Sequence, residues 1–148
     1  MIRRAHLLKD GRYLMAVADS ITRAAYPGRK YESRRAYAMF QRAISSAEHC
    51  VFVRTRDDVP CGTIGALTLD YDVFRGGFLL IKILQADTPQ GLSLLIKQVV
   101  GWASGRRRVK EVAFIRDFQV TERQSTVLHW AFANCGFTLV GGTYQLRR

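Results

Sequence analysis

Apolar residues recur at helical spacing in the first third of the chain and predict two helices there. The first helix can be capped by Asp10 and stops at Tyr26-Pro27-Gly28, a combination typical of turns. The second covers about residues 32–48. The positions predicted to face inward are Leu14, Val17, Ala18, Ile21 and Ala25, followed by Ala36, Phe40, Ala43, Ile44 and Ala47. The first five residues can form a short strand before these helices.

The pattern then changes to the short apolar runs that are typical of strands. CVFVRT and CGTIGALTLDY flank the turn RDDVP, and RGG at 75–77 leads into FLLIKIL, so three strands joined by two turns are predicted. Glycine suits the RGG turn because it adopts positive φ at little cost. FLLIKIL is apolar on both faces, which indicates a central position in a sheet.

The second half of the chain predicts a helix, a strand, a helix and a last strand. Thr88 as cap and Pro89 at the first helical position begin the third helix, and VKEVAFIRDF follows as a strand. Thr121 to Gln124 has the form of a capping box, and Gly136 stands where a fourth helix would end. TLVGGTYQLR closes the chain. This order predicts one mixed α/β domain over residues 1–148.

Composition narrows the class of protein. Hydrophobic residues make up 48% and charged residues 24%, which is ordinary for a globular protein. No apolar run approaches the roughly 20 residues of a membrane span. Two early arginines resemble the start of a signal peptide, but Lys9 and Asp10 interrupt the apolar region that would follow. We therefore expect a cytoplasmic protein with no membrane partner.

The net charge of +11 is concentrated at the two ends of the chain. Residues 1–50 carry ten Lys/Arg against four Asp/Glu, residues 51–100 carry five against five, and residues 101–148 carry eight against three. Such a field favours an acidic partner, which could be a phosphorylated cofactor, a nucleic acid or an acidic protein surface. A basic surface that is only solvated explains the same count.

At this point the sequence resembles the GNAT superfamily of acyl-CoA N-acyltransferases. The tail FANCGFTLVGGTYQLRR looks like the family's closing helix, Gly-Phe pair and final strand. The middle of the chain is also similar to the cofactor-binding part of the family. There, FLLIKIL corresponds to the cofactor strand, the turn after it to the pyrophosphate loop, and QGLSLLIKQVVGWA to the following helix. The resemblance implies an α/β fold with a mixed, mostly antiparallel sheet flanked by about four helices. It also implies acetyl-CoA-dependent N-acetyl transfer.

The resemblance implies that acetyl-CoA binds at the turn between the strand FLLIKIL and the third helix. A helix N-terminus offers free amide hydrogens and a favourable dipole to a pyrophosphate. Gln90 and Gly91 fit the start of the family loop, whereas Pro89 removes one amide donor. A helix that simply begins at Thr88 explains these residues equally well. The cofactor-binding residues implied are Ile83, Leu84, Gln85, Gln90, Gly91, Leu92 and Ser93.

The position of the family's general acid is occupied by Phe132, which has no proton to give. His129 is the candidate acid or base on the same helix, although a surface histidine explains it too. Asp72 is the candidate base, although a carboxylate beside RGG also fits plain turn chemistry. Acceptor recognition would fall to the first two helices, whose Arg34, Arg35 and Arg42, with Tyr31 and Tyr37, suit an acidic acceptor.

Two other functions remain open at this stage. A non-catalytic subunit of a larger assembly could keep the fold and dock on an acidic partner; bacteriophage particle components are one example, and the protein would then reside in the virion. A nonspecific nucleic-acid-associated protein could use charge alone, with Arg106, Arg107, Arg108 and Lys110 as its densest basic run. In the cofactor interpretation this run would reach the 3′-phosphate of coenzyme A.

Overall fold

A computed structural model describes residues 1–71, 73, 75–114 and 122–139 of the chain. Its helices and strands follow one another in the order that the hydrophobic pattern predicts. They are β1 (Ile2–Arg4), α1 (Leu7–Ala25), α2 (Ser33–Ser45), β2 (Cys50–Arg56), β3 (Val59–Asp70), β4 (Gly77–Ala86), α3 (Pro89–Ser104), β5 (Val109–Phe114) and α4 (Glu122–Asn134). Thr121, Asp72, the end of VKEVAFIRDF and most of the predicted last strand lie outside the described residues.

The described strands form one mixed, mostly antiparallel sheet. Its order is β1-β2-β3-β4-β5, with antiparallel pairing throughout except between β4 and β5, which are parallel. The β4–β5 pairing extends to Ile81 opposite Phe114, and β4 continues to Ala86 along β3. FLLIKIL is thus flanked on both sides, as its apolar character predicts.

A β-bulge interrupts β4 in the middle of the sheet. Gly65 of β3 lies opposite Ile83, while the next residue, Ala66, lies opposite Ile81, so Lys82 is the extra residue. The bulge bends β4 and separates its two halves. The first half pairs with β5, and the second half leads into the turn before α3.

Helices cover both faces of the sheet, because alternate side chains of each strand point to opposite faces. On one face, α1 and α2 place Leu14 and Phe40 against Val53 of β2 and Ile83 of β4. On the other face, α3 and α4 pack against the remaining set of strand side chains. That core contains Phe52, Ile64, Leu79, Leu92, Leu95, Ile96, Val99 and Ala131.

The start of α1 differs from the sequence prediction. The helix begins at Leu7 with His6 in the cap position, so Asp10 lies inside the helix and does not cap it. Its fully buried carboxylate instead accepts the His6 amide at 2.7 Å and is clasped by both terminal nitrogens of Arg3, at 2.7 and 2.9 Å. Arg3 belongs to β1, a partner that a local capping rule does not consider.

The end of α2 also differs, since the helix stops at Ser45 rather than near Glu48. Arg4 of β1 donates to the carbonyls of Ile44 and His49, at 3.4 and 3.3 Å, and so binds the helix end and the following loop. Glu48 is held by Arg108 at 2.7 Å. Contacts from distant elements therefore turn the chain before the predicted boundary.

The described part of the chain lacks both a membrane-spanning helix and a metal-binding cluster. None of its helices combines the length and the apolar character that crossing a membrane requires. Nor does that part bring three His, Cys, Asp or Glu side chains close enough together to hold a metal ion.

Candidate functional site

The turn from β4 to α3 is stabilised by the chain's own hydrogen bonds. Thr88 adopts an extended conformation at the N-cap, and its hydroxyl accepts the Gly91 amide at 3.0 Å. The Leu92 amide donates to the Thr88 carbonyl at 3.2 Å, and the Asp87 amide donates to the Cys61 carbonyl at 3.1 Å. Because Pro89 has no amide hydrogen, Thr88 and Gln90 carry the two amides at this helix start to which the described residues offer no partner.

Two arginines of β2 hold the carboxylate of Asp87 just before α3. Arg54 contacts one carboxylate oxygen and Arg56 contacts the other, each at 3.1 Å. The Arg54 side chain is only 18% exposed and also lies 3.6 Å from the sulfur of Cys61. The negative charge that a helix N-terminus attracts is therefore already supplied by the chain.

Gly91 is needed for packing within the chain. A Cβ atom at this position would lie 3.0 Å from Nη1 of Arg54, 3.1 Å from the Thr88 hydroxyl and 3.2 Å from the Cβ of Ala86. These distances are tighter than ordinary van der Waals contacts, so a side chain would crowd all three neighbours. The missing side chain makes room for Arg54, which in turn holds Asp87.

This turn does not fit the pyrophosphate of acetyl-CoA. A phosphate cradle at a helix start uses several amide hydrogens in succession, whereas here Pro89 has none, that of Gly91 is taken up by Thr88, and those of Thr88 and Gln90 are separated by Pro89. A bound pyrophosphate would also lie close to the carboxylate of Asp87, which repels it.

The predicted cofactor residues lie partly in strand β4 and partly in helix α3, and their surroundings differ. Ile83 belongs to the core under α1 and α2, Leu84 packs towards the α3 side, and Gln85 pairs with Thr63 of β3. In α3, Gln90 is exposed, whereas Gly91, Leu92 and Ser93 are buried. Their assignment to a cofactor stays a prediction.

Phe132, at the position of the family's general acid, lies in an aromatic cluster. Its ring stacks on Phe114 with centroids 4.8 Å apart and meets Phe137 edge-on at 5.0 Å. The cluster packs against the core between the sheet and α4. His129 lies on the exposed side of α4, and Asp72 is outside the described residues, so both roles stay predictions.

A polar contact between α3 and α4 was not found by sequence reasoning. The buried Ser93 hydroxyl accepts Nδ2 of Asn134 at 2.9 Å and lies 3.6 Å from the sulfur of Cys135. These residues are about forty positions apart in the sequence, and no spacing rule connects them. The contact fixes the end of α4 against the second turn of α3.

The basic run after α3 is divided among several structural tasks. Arg108 bridges Glu48 and Asp70, and the guanidinium of Arg106 stacks 3.7 Å from the ring centre of Trp102. The Lys110 stem lies close to Gly76 in the β3–β4 turn. The run is therefore not a single free cationic patch.

The α1–α2 layer, by contrast, carries cations in excess. All four carboxylates among residues 1–50 are engaged in ion pairs, which are Arg3–Asp10, Arg23–Asp19, Arg35–Glu32 and Arg108–Glu48. Five exposed cations of the same segment form no ion pair with any described residue; we call them the α1–α2 basic face, and they are Lys9, Arg12, Lys30, Arg34 and Arg42.

Two cavities border this layer. A groove of about 440 Å³ opens at Met15, Ser33, Arg34 and Tyr37, between α1 and α2. A second cavity of about 20 Å³ lies between Phe40 of α2 and the bulged part of β4. The second has room for about one water molecule and not for a pantetheine arm.

Comparison with known proteins identifies the fold. No protein-family model and no curated protein sequence matches this chain. Solved structures match it over its whole length. A protein from Agrobacterium tumefaciens described as an acetyltransferase has a TM-score of 0.70 at 16% identity, covering 100% of this chain and 99% of its own.

Two further matches agree with the first. Glucosamine-6-phosphate N-acetyltransferase from Arabidopsis thaliana gives a TM-score of 0.69 at 11% identity, over 100% of this chain and 96% of that enzyme. A protein from Clostridium acetobutylicum described as an acetyltransferase, solved with acetyl-CoA, gives 0.72 at 10% identity, over 99% and 95%. At such low identity the likeness establishes the fold alone. The GNAT-like α/β fold inferred from the sequence is confirmed.

Proposed function

We propose that this protein uses an acetyltransferase fold for docking rather than for acetyl transfer, and that its partner is an acidic protein surface. The observation that carries the proposal is the surplus of positive charge in the α1–α2 layer. Every carboxylate in the first 50 residues is already paired, while the α1–α2 basic face keeps its cations exposed. An arrangement of this kind steers an oppositely charged partner and fixes its register.

The groove beside the α1–α2 basic face favours a protein over a nucleic acid. Tyr37 is 43% exposed at its edge, next to Met15 and Arg34. Tyrosine, methionine and arginine are the residue types that protein interfaces concentrate at their cores. A phosphate backbone needs only the cations, whereas a protein partner can also place an apolar or aromatic side chain in the groove.

Binding to defined polyanions tests this proposal. We expect a random copolymer of glutamate and tyrosine to bind more tightly than duplex DNA at equal charge concentration, and both to weaken as salt is raised. The variant Arg34→Ala/Arg42→Ala should bind the copolymer roughly tenfold more weakly, because each exposed cation contributes up to about 1 kcal/mol.

The matched control is Lys97→Ala/Arg107→Ala, which removes two exposed cations from the opposite side of the sheet. It should leave copolymer binding nearly unchanged. Equal losses in the two double variants would reduce the effect to net charge and would overturn the assignment to the α1–α2 basic face. Tighter binding to DNA than to the copolymer would favour the nucleic-acid function.

In this proposal the protein is a subunit of a larger assembly, for which a bacteriophage particle is one setting. The acidic partner would then be a neighbouring component of that assembly. Size-exclusion chromatography of the protein with such a component, at low and high salt, gives the corresponding test.

Acetyl transfer is the second candidate, favoured by the fold shared with acetyltransferases. Acetyl-CoA would be its cofactor, and His129 and Asp72 are the predicted proton-transfer residues. Isothermal titration with acetyl-CoA separates the two functions. Micromolar binding would favour the enzyme, and no heat at millimolar cofactor would favour docking.

A further inference from the structure

We infer that Asp87 takes the place of a ligand phosphate, so that the start of α3 is an anion site that the chain itself fills. The inference rests on the proposed docking function, because a self-filled anion site would keep coenzyme A out. It concerns three side chains of the same small region, Asp87, Arg54 and Arg56, together with the cap residue Thr88.

Both oxygens of the Asp87 carboxylate are occupied by separate guanidinium groups. Oδ1 contacts Arg54 and Oδ2 contacts Arg56, each at 3.1 Å. The same carboxylate stands just before the N-terminus of α3, where the helix dipole favours a negative charge. Two cations and a helix start are the elements that would otherwise hold a phosphate.

Thr88 and Gly91 complete the closure. The Thr88 hydroxyl takes up the Gly91 amide at 3.0 Å, an amide that a bound phosphate would need. The space in front of Gly91 is filled by Arg54, which would lie 3.0 Å from an added Cβ. The charge, the donor and the space that a phosphate requires are therefore all provided or occupied by the chain's own residues.

Removing the carboxylate should open the site to an external anion. In Asp87→Asn the side chain keeps its shape but loses its charge, so Arg54 and Arg56 lose their anionic partner. Adding Thr88→Val also frees the Gly91 amide. We expect inorganic pyrophosphate and coenzyme A to bind Asp87→Asn at least about tenfold more tightly than the wild type, and the double variant more tightly again.

The control is Asp57→Asn, which removes the same charge from the exposed β2–β3 turn. Asp57 has φ of 51°, a conformation that asparagine tolerates. Isothermal titration at low salt should give no heat for the wild type and for Asp57→Asn up to about 1 mM ligand. Adding Arg56→Gln to Asp87→Asn should remove the gained binding, because one of the two cations is then lost.

The outcomes distinguish this inference from the docking proposal. Coenzyme binding by the wild type would overturn both. A silent wild type with a silent Asp87→Asn, or equal gains in Asp87→Asn and Asp57→Asn, would overturn only the self-filled site. Should Asp87→Asn lose its cooperative unfolding transition, Asp87→Ser gives the same readout with a shorter polar side chain, and a silent Asp87→Ser overturns the inference in the same way.

Discussion

The α1–α2 layer and the start of α3 differ in how their positive charges are used. In the α1–α2 layer, Lys9, Arg12 and Arg34 are exposed and have no carboxylate partner among the described residues. At the start of α3, Arg54 and Arg56 are both committed to Asp87. Arg54 and Arg56 are therefore paired within the chain, whereas the cations of the α1–α2 basic face are available to a partner.

This contrast shows why a count of charges does not locate a binding site. The run from Arg106 to Arg108 is the densest in the sequence, yet Arg106 stacks on Trp102 and Arg108 bridges two carboxylates. The cations of the α1–α2 basic face are scattered along the sequence. Their helices, α1 and α2, pack on the same face of the sheet.

The largest effects should come from the cores that hold the two layers to the sheet. Phe40 of α2 is 1% exposed and Leu95 of α3 is fully buried. Phe40→Ala and Leu95→Ala should each lower the free energy of unfolding by about 3–4 kcal/mol in urea titrations, through lost burial and the cavity left behind. Phe40→Ala should also weaken copolymer binding, because α2 carries Arg34 and Arg42 of the α1–α2 basic face. If Leu95→Ala weakened that binding as much, the two layers would not be independent.

Two glycines of α3 should respond in opposite directions. Gly91→Val places atoms where Arg54 and Thr88 already lie, so it should lower the free energy of unfolding by about 1–3 kcal/mol. Gly101 has open space around its Cβ direction, and Gly101→Ala should raise that free energy by about 0.5–1 kcal/mol through helix propensity. Thermal unfolding of the two variants checks the signs. A stabilising Gly91→Val would show that Arg54 does not need this space.

Asp10 differs from the other carboxylates of the α1–α2 layer because it is buried. Burial opposes its ionisation, but the Arg3 hydrogen bond, the His6 amide and nearby positive charges outweigh burial and hold its pKa below the ordinary value. A carboxyl with a lowered folded pKa stabilises the protein above its unfolded pKa, and this contribution is lost as the pH falls through the folded value.

Asp10→Asn should therefore cost about 2 kcal/mol at neutral pH, since it weakens charge-assisted hydrogen bonds at a buried site. The difference from the wild type should begin to shrink below about pH 4, where the carboxyl takes up a proton in the unfolded state, and it should keep shrinking until the pH passes the lower folded pKa. Urea titrations at pH 7 and pH 3 measure both values. An unchanged difference at pH 3 would contradict the role of the carboxylate charge.

The smallest predicted effect is on the pKa of Tyr13 in α1, to which Asp87 at the start of α3 contributes. Burial, with smaller contributions from the charges of Cys61 and Asp87, raises the pKa of Tyr13 to about 12. Asp87→Asn should lower this pKa slightly, because burial, the larger cause, remains. Tyr71 is the internal control, since its pKa of about 12 comes first from a hydrogen bond to Glu111 and then from burial. A pH titration followed by NMR of the ring carbons measures the pKa values of Tyr13 and Tyr71 separately. A lower pKa for both tyrosines would indicate a general effect of net charge.

Much of the fold could be predicted because local patterns and tertiary packing agree. The apolar spacing of α3, its Thr88 cap and Pro89 at the first position all point to the helix that is present. The RGG turn is present with Gly76 at φ of 111°. Predictions were wrong where a distant side chain intervened, as Arg3 does for Asp10 and Arg4 does for the end of α2.

The candidate site was less predictable, because its character depends on partners that are far away in the sequence. Gly91 looked like a phosphate-binding glycine, yet its neighbour in space is Arg54, nearly forty residues earlier. Ser93 looked like part of the loop, yet it is bonded to Asn134. Residue type and spacing cannot reveal which side chains approach an amide from another strand.

The amino-acid sequence determined the order of helices and strands, the central position of β4 and the excess of positive charge. These properties follow from hydrophobic periodicity, turn chemistry and composition, which act over short distances along the chain. The tertiary structure decided which cations are neutralised and which remain available, and it paired Arg54 and Arg56 with Asp87 at the start of α3. Ion pairs and caps across the sheet form only when packing brings distant residues within a few ångströms of each other.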